Sequence, residues 1–294
     1  MRPPWELHGH PLKMGLRNCL ERDWLPIEDP LGQKPTRQQQ ISKKRKLFAE
    51  RYNEIFVTSE DCIQASEETF NLVTQHILKF HDQKTRFKLR HKNRVQNWHE
   101  AHPLEEAARL VPEDFTLIKP MKNKDSEKKW VLAAGAVAFP AHWSLKKKIG
   151  QELNQIHAPV PGYDTRLKTA VNKFFSTMRI GPITQRVNWS LQFYDKLFTP
   201  ERIQPKIKDA PITISEIFLR IERQSFRKLE ETEWILFTIR TSLVPLSEWQ
   251  NVPDALNSLL TLLRQMPPAY REYRGSSHHE KIIENAVIAS PNPS

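Results

Sequence analysis

Cysteine is nearly absent: the 294 residues contain only Cys19 and Cys62. Two thiols make neither a disulfide framework nor a zinc set, and no CxxCH is present to attach a haem covalently. A cysteine-held iron–sulfur cluster is excluded for the same reason. Glycine is scarce too, eight in all, and none falls in a GxGxxG phosphate loop. The chain therefore has no dinucleotide fingerprint of its own. No stretch approaches the roughly 18–20 apolar residues of a membrane span, and the opening MRPPWELHGH lacks the apolar segment of a signal peptide. These absences set the expectation of a soluble, cytoplasmic protein.

What is present is enough for one sizeable core: 38% of residues are hydrophobic and 9% aromatic. Lys and Arg outnumber Asp and Glu by 45 to 34, giving a formal charge of +11. The basic excess clusters in KKRK at 43–46 and KTRFKLRHKNR at 84–94. No nucleic-acid motif accompanies these runs, so they read as solvated faces or as a docking surface for an acidic partner, with nucleic acid unlikely.

Residues 1–40, rich in proline and carrying a QQQ, read as an irregular arm anchored by Leu16, Leu20, Trp24 and Leu25. Ile41 to Phe56 looks helical. A longer helix from about Ser59 places Ile63, Phe70, Val73, Ile77 and Phe80 at helical spacing. The charged linker at 82–103 holds His91, His99 and His102 without a compact ligand spacing. After it, PLEEAARLVPEDFTLIKP predicts a short helix stopped by Pro112 and then a strand.

The run Trp130 to Phe139 is apolar without alternation, with Ala133, Ala134, Gly135 and Ala136 small and Pro140 as its stop. It predicts a buried strand with something pressed close against it. Ser144 is a candidate N-cap for a helix whose stripe is Leu145, Ile149, Leu153 and Ile156 and which ends at His157. In HAPVPG, two prolines hold the backbone around Val160, so His157 enters the loop with little freedom. A rigidly presented imidazole is what a metal centre needs. A second helix follows over Tyr163–Met178, then strands at 183–193 and within 216–241 and a helix carrying Leu256, Leu259, Leu260 and Leu263. The segment from 276 onward, with His278 and His279, reads as a mobile tail.

Across residues 12–275, GAVAFPAHW, IHAPVPGY, RVNWSL, LRIERQ and FTIRT occur in an order that resembles the haem-dependent oxidative N-demethylase alpha-subunit family. The resemblance implies an α+β fold: a PAS-like antiparallel sheet with flanking helices enclosing a haem pocket, plus a helical N-terminal region. The expected division is an arm and helical region at 1–102, a PAS-like haem-binding region with a C-terminal helix at 103–275, and a flexible tail at 276–294. The implied cofactor is non-covalent haem b, with O2 as co-substrate. The implied activity is oxidative N-demethylation of a small amine, with electrons from a flavin and/or iron–sulfur reductase. The alternative is a PAS-like haem-based gas or redox sensor, or an interaction module without turnover.

Within that scheme His157 is the preferred axial iron ligand, because it lies between two helices, and His142 is the second choice. In the 216–241 hairpin, Phe218, Arg220, Glu222 and Gln224 share a face. A turn centred at Glu231 would put Glu222 opposite Arg240, as an exposed ion pair or, given the resemblance, as catalytic groups. Arg220 and Arg186 are candidates for haem propionates or for surface ion pairs. Asn188 either contacts a ligand or satisfies backbone, and Trp189 reads first as a core aromatic.

Overall fold

The computed structural model describes residues 3–8, 14–27, 35–82, 85, 101–122, 128–202 and 212–289. Its centre is one seven-stranded sheet, antiparallel throughout. In chain order the strands are β1 (Arg17–Cys19), β2 (Phe56–Thr58), β3 (Asp114–Lys122), β4 (Lys128–Ala136), β5 (Ile183–Phe193), β6 (Ile217–Lys228) and β7 (Ile235–Pro245). Across the sheet they run β1-β5-β6-β7-β3-β4-β2. The arm and the N-terminal helical region thus each supply an edge strand to the sheet that the rest of the chain builds.

Helices cover both faces. Behind the sheet lie α2 (Arg37–Glu50), α3 (Tyr52–Ile55), α4 (Ile63–Phe80) and α5 (Pro103–Leu110), with α1 (Pro4–His8) packed near the other end. On α4, Val73 and Ile77 are buried as the spacing predicts, whereas Ile63 at the helix start is 48% exposed. His102 caps α5, its ring accepting from the Leu104 amide. His91, His99 and all of the 84–94 basic run except Thr85 lie outside the described residues. In the other basic run, KKRK, Lys44 is not solvated. It is fully buried and pairs with Asp114 at 3.2 Å.

The front of the sheet is covered by four short helices: α6 (Leu145–Lys148), α7 (Leu153–His157), α8 (Tyr163–Arg166) and α9 (Lys168–Thr177). The single helix expected from Ser144 to His157 is therefore two. Gly150, at φ 80°, breaks it, and Glu152 turns back to bridge Val131 in β4. Ser144 makes no side-chain cap. The close packing inferred from the small residues of β4 is present: a Cβ on Gly135 would fall 2.7 Å from Leu145 Cδ1. Gly135→Ala should lower stability by about 1–3 kcal/mol through this overpacking, measured as a lower urea midpoint at unchanged slope.

The C-terminal region corrects the sequence reading most. After α10 (Ala255–Gln265) and α11 (Pro268–Arg274), the segment expected to be a mobile tail is a helix, α12 (Ser276–Ala289). Gly275, in the left-handed region at φ 64°, ends α11 and lets the chain fold back. Ile283 is fully buried and Arg271 grips Glu280 through two nitrogens, at 3.1 and 2.5 Å. His279, expected in solvent with His278, is buried and stacks on Phe193. The signal was in the sequence, since Ile282, Ile283, Ala286 and Val287 recur at helical spacing.

Candidate functional site

Between the sheet and α7–α9 lies a cavity of about 610 Å³, within the ~300–1,000 Å³ typical of cofactor and small-molecule sites. Its floor is the front of β5–β7, including Asn188, Glu222 and Ile239, and its helical wall is apolar, including Leu153, Val171 and Phe174. Both sequence-predicted histidines reach it, as do Arg186, Asn188 and Glu222. Arg220 and Arg240 are not among its lining residues.

Glu222 is held from three sides. On its own strand, Arg220 Nε donates to Oε1 at 2.9 Å and Gln224 Nε2 donates to Oε2 at 3.1 Å. From β5, in register opposite it, Asn188 Nδ2 donates to Oε2 at 3.3 Å. Burial alone would raise the Glu222 pKa. The Arg220 charge and hydrogen bond, with help from Asn188 and Arg274, outweigh burial and hold the carboxyl below its usual range. Asn188, expected either to contact a ligand or to satisfy backbone, lines the cavity and spends its side-chain amide on the Glu222 carboxylate.

Arg220 is 1% exposed and fully engaged. Besides Glu222 it donates to the carbonyls of Leu197 and Phe139 and reaches Thr241 Oγ1 at 3.5 Å. It fixes Glu222 and the loop after β4 and is not among the residues lining the cavity; of its two expected roles the ion pair is present, buried instead of at the surface.

The expected partnership of Glu222 with Arg240 is also corrected. The hairpin pairs Glu222 with Thr241 and Arg223 with Arg240, one residue out of the expected register. A one-residue slip moves a side chain to the opposite face of the sheet. Arg240 is accordingly buried behind the sheet, 3.5 Å from Glu113. Trp189 is a buried core aromatic, the first of its two expected readings.

His157 ends α7 with its Nδ1 2.7 Å from the Leu153 carbonyl, so Nδ1 carries the proton and Nε2 keeps its lone pair. Tyr163 stacks on the ring at 5.1 Å and is itself fixed by its hydroxyl on Asn154 at 2.9 Å. Burial, opposed by the Leu153 carbonyl and reinforced by Arg186 and Lys148, lowers the pKa of the imidazole and keeps it neutral. His142 follows Ala141 in the loop after β4 and has φ 59°, a strained value for a residue with a Cβ. Its amide donates to the Thr199 carbonyl at 2.7 Å. Although its side chain is open to the cavity, the surrounding protein and the charges of Arg202, Arg220 and Arg274 push its pKa down to about 4.

The loop carrying His142 is clamped from behind. Asp114 accepts from the amides of Ala138 and Phe139 at 3.0 and 2.7 Å, and Lys44 pairs with the same carboxylate. Residues 15–284 match the family described as haem-dependent oxidative N-demethylase, alpha subunit-like. This chain belongs to that family.

Membership brings haem-dependent oxidoreductase chemistry and an alpha-subunit-like place beside partner proteins at the family level. The residues present fit a haem of this family. A tautomer-fixed imidazole offers Nε2, the apolar helical wall suits a flat macrocycle, and Arg186 has an Nε with no hydrogen-bond partner for a carboxylate. Among the described residues no three His, Cys, Asp or Glu side chains converge on a metal ion, but a haem iron asks only one or two protein ligands. None of the described helices is long and apolar enough to cross a membrane.

Reasoning from sequence missed Arg202, Arg274, Tyr270 and Tyr273, which also line the cavity. The last three lie at i, i+3 and i+4 on α11, a polar stripe that could have been noticed.

Proposed function

We propose that this chain is the haem b-binding, oxygen-activating subunit of an oxidative N-demethylase acting on small methylated amines. A separate flavin and/or iron–sulfur reductase delivers the electrons. The observation that supports this reading best is that one cavity, in a chain of this family, holds both a tautomer-fixed imidazole and an immobilised, ionised carboxylate.

His157 would hold the haem through Nε2, with His142 the second candidate. The group when bound supplies reductive activation of O2 and oxidation of an N-methyl C–H bond. In the overall change one oxygen atom goes to the methyl carbon, released as formaldehyde, and the other to water, with two electrons and two protons from outside. Glu222 accepts a hydrogen bond from the substrate ammonium, or holds a proton, at its carboxylate oxygens. Asn188, Gln224 and Arg220 fix those oxygens in place, and the apolar helices α7–α9 keep water from the reacting carbon. The excess of positive charge suits an acidic electron carrier.

The test is a spectroscopic titration of the protein with haemin. The wild type should take up one equivalent with a histidine-ligated Soret band. His157→Ala should bind about 100-fold more weakly or not at all, at or beyond the upper end of what losing a ligand's supporting partner costs. A band lost in His142→Ala but unaltered in His157→Ala transfers the role to His142. No uptake by the wild type removes the reading.

A further inference from the structure

A smaller chamber of about 140 Å³ opens beside the main cavity and shares His142, Leu191, Arg202 and Arg274 with its wall. Against the ~30 Å³ share of a liquid water, it has room for a group of a few heavy atoms but not for a whole cofactor. The remaining wall comes from the end of β5, from Thr199 and from the junction of α11 with α12.

Both arginines are held in place. The Arg202 guanidinium donates to the Tyr273 carbonyl, and a Cβ on Gly275 would fall 2.7 Å from its Nη1, so a glycine there is what lets it approach. Arg274 commits its Nε to the Tyr270 hydroxyl at 2.9 Å. His279 is 5% exposed and stacks on Phe193 at 4.5 Å, and neither of its ring nitrogens has a hydrogen-bond partner. The nearby Gly275 carbonyl opposes the fall in its pKa without meeting hydrogen-bond geometry, but burial dominates and the ring stays neutral, with a pKa of about 4. Gln192 donates to the carbonyls of Tyr194 and Lys196 while its own Oε1 accepts nothing.

Buried polar groups are nearly always satisfied, so an unpartnered imidazole on a chamber wall marks a bonding partner that occupies the chamber. Among the described residues no carboxylate lines it, while two guanidiniums do. Planar, forked guanidinium donors match the two oxygens of a carboxylate. We propose that this chamber is a carboxylate-binding site, in which Arg202 and Arg274 take the anionic oxygens and His279 donates from one ring nitrogen. A water between the carboxylate and Gln192 Oε1 satisfies that acceptor.

The carboxylate has two possible sources. One is a propionate of a haem in the main cavity, which rests on the function proposed above. The other is the acid group of a small zwitterionic amine such as an N-methyl amino acid, and the chamber's affinity for such a group does not depend on the haem. Two titrations separate them. The full-length protein is titrated with haemin and with haemin dimethyl ester by absorbance, and with acetate against chloride at equal ionic strength by tryptophan fluorescence.

Arg202→Gln, Arg274→Gln and His279→Phe are compared with the wild type, with circular dichroism confirming that each is folded. Losing a charged hydrogen bond should weaken carboxylate binding about tenfold or more. A loss confined to haemin and absent from its diester assigns the propionate, whereas a loss for acetate alone assigns the substrate acid. If each folded variant binds both haemin and acetate within twofold of the wild type, the chamber is not a carboxylate site. If the wild type takes up no haemin, the haem reading fails and the acetate titration still decides the chamber.

Discussion

Replacing Glu222 by glutamine should lower formaldehyde release from a methylated amine by about 10²–10⁴-fold, the range for a positioned acid or base, while haemin affinity stays within a few-fold of the wild type. The change keeps the shape of the side chain and removes its charge. Asn188, Gln224 and Arg220 all donate to the carboxylate, so an amide nitrogen in its place would face donors. The measurement is formaldehyde formed with a supplied reductant, beside a haemin titration of the same preparation. Because the folded-state pKa of Glu222 lies below its ordinary value, its charge stabilises the fold above the unfolded-state pKa. That contribution disappears as pH falls through the folded value. Acid inactivation through this group therefore belongs well below neutrality. Arg240→Leu is the informative contrast: lying behind the sheet with Glu113, it should change stability and leave the oxidation rate of the folded fraction alone. Equal turnover in Glu222→Gln and wild type would remove Glu222 from the chemistry.

Asp114→Ala should cost about 3–5 kcal/mol, the price of stranding one member of a buried ion pair. Lys44 and Asp114 are both essentially without solvent exposure. Burial pushes the pKa of Lys44 down and that of Asp114 up, and their mutual attraction opposes both shifts. Removing the carboxylate leaves the ammonium with carbonyl partners at Val111 and Glu113 and takes the acceptor from the amides of Ala138 and Phe139. Lys44→Met with Asp114→Asn should recover part of the loss, since no charge is then left alone. Urea unfolding of the three proteins measures this, and a loss under 1 kcal/mol in Asp114→Ala would show that water reaches the pair. The same amides begin the loop that presents His142, so the surviving folded fraction should also show altered access or ligation at that histidine.

Much of the fold could be read directly. The unbroken apolar run that becomes β4, the strand at 183–193, the alternation in β6 and the leucine stripe of α10 are each local patterns, and each falls where the structure places it, β4 running over Lys128–Ala136 where the apolar run continues to Phe139. The helix end at His157 was legible for the same reason, being a local constraint, whereas the Leu153 carbonyl and the Tyr163 ring that fix the imidazole are seen only in the structure. The shared face of Arg220, Glu222 and Gln224 was legible too, because alternation along a strand needs no partner.

The pairing of Glu222 was not local. The β6–β7 connection runs from Lys228 to Ile235, and within it Glu68, reaching from α4, accepts from the amides of Glu230, Glu231 and Thr232 and from the Thr232 hydroxyl. That carboxylate, some 160 residues away in sequence, caps a turn centred between Glu231 and Thr232, and the half-residue shift turns Arg240 away from the cavity. Likewise, nothing in KKRK marks Lys44, on helix α2, for burial; its partner Asp114 comes from strand β3. The sequence by itself determined the long central strands and the helices with a clear apolar stripe, and singled out the two histidines, because spacing and backbone chemistry are properties of short segments. The edge strands β1 and β2 and the return of α12 onto the core depend on partners elsewhere. Which polar side chains meet in the cavity was decided only by the tertiary structure, because register, burial and ion pairing depend on groups brought together from distant parts of the chain.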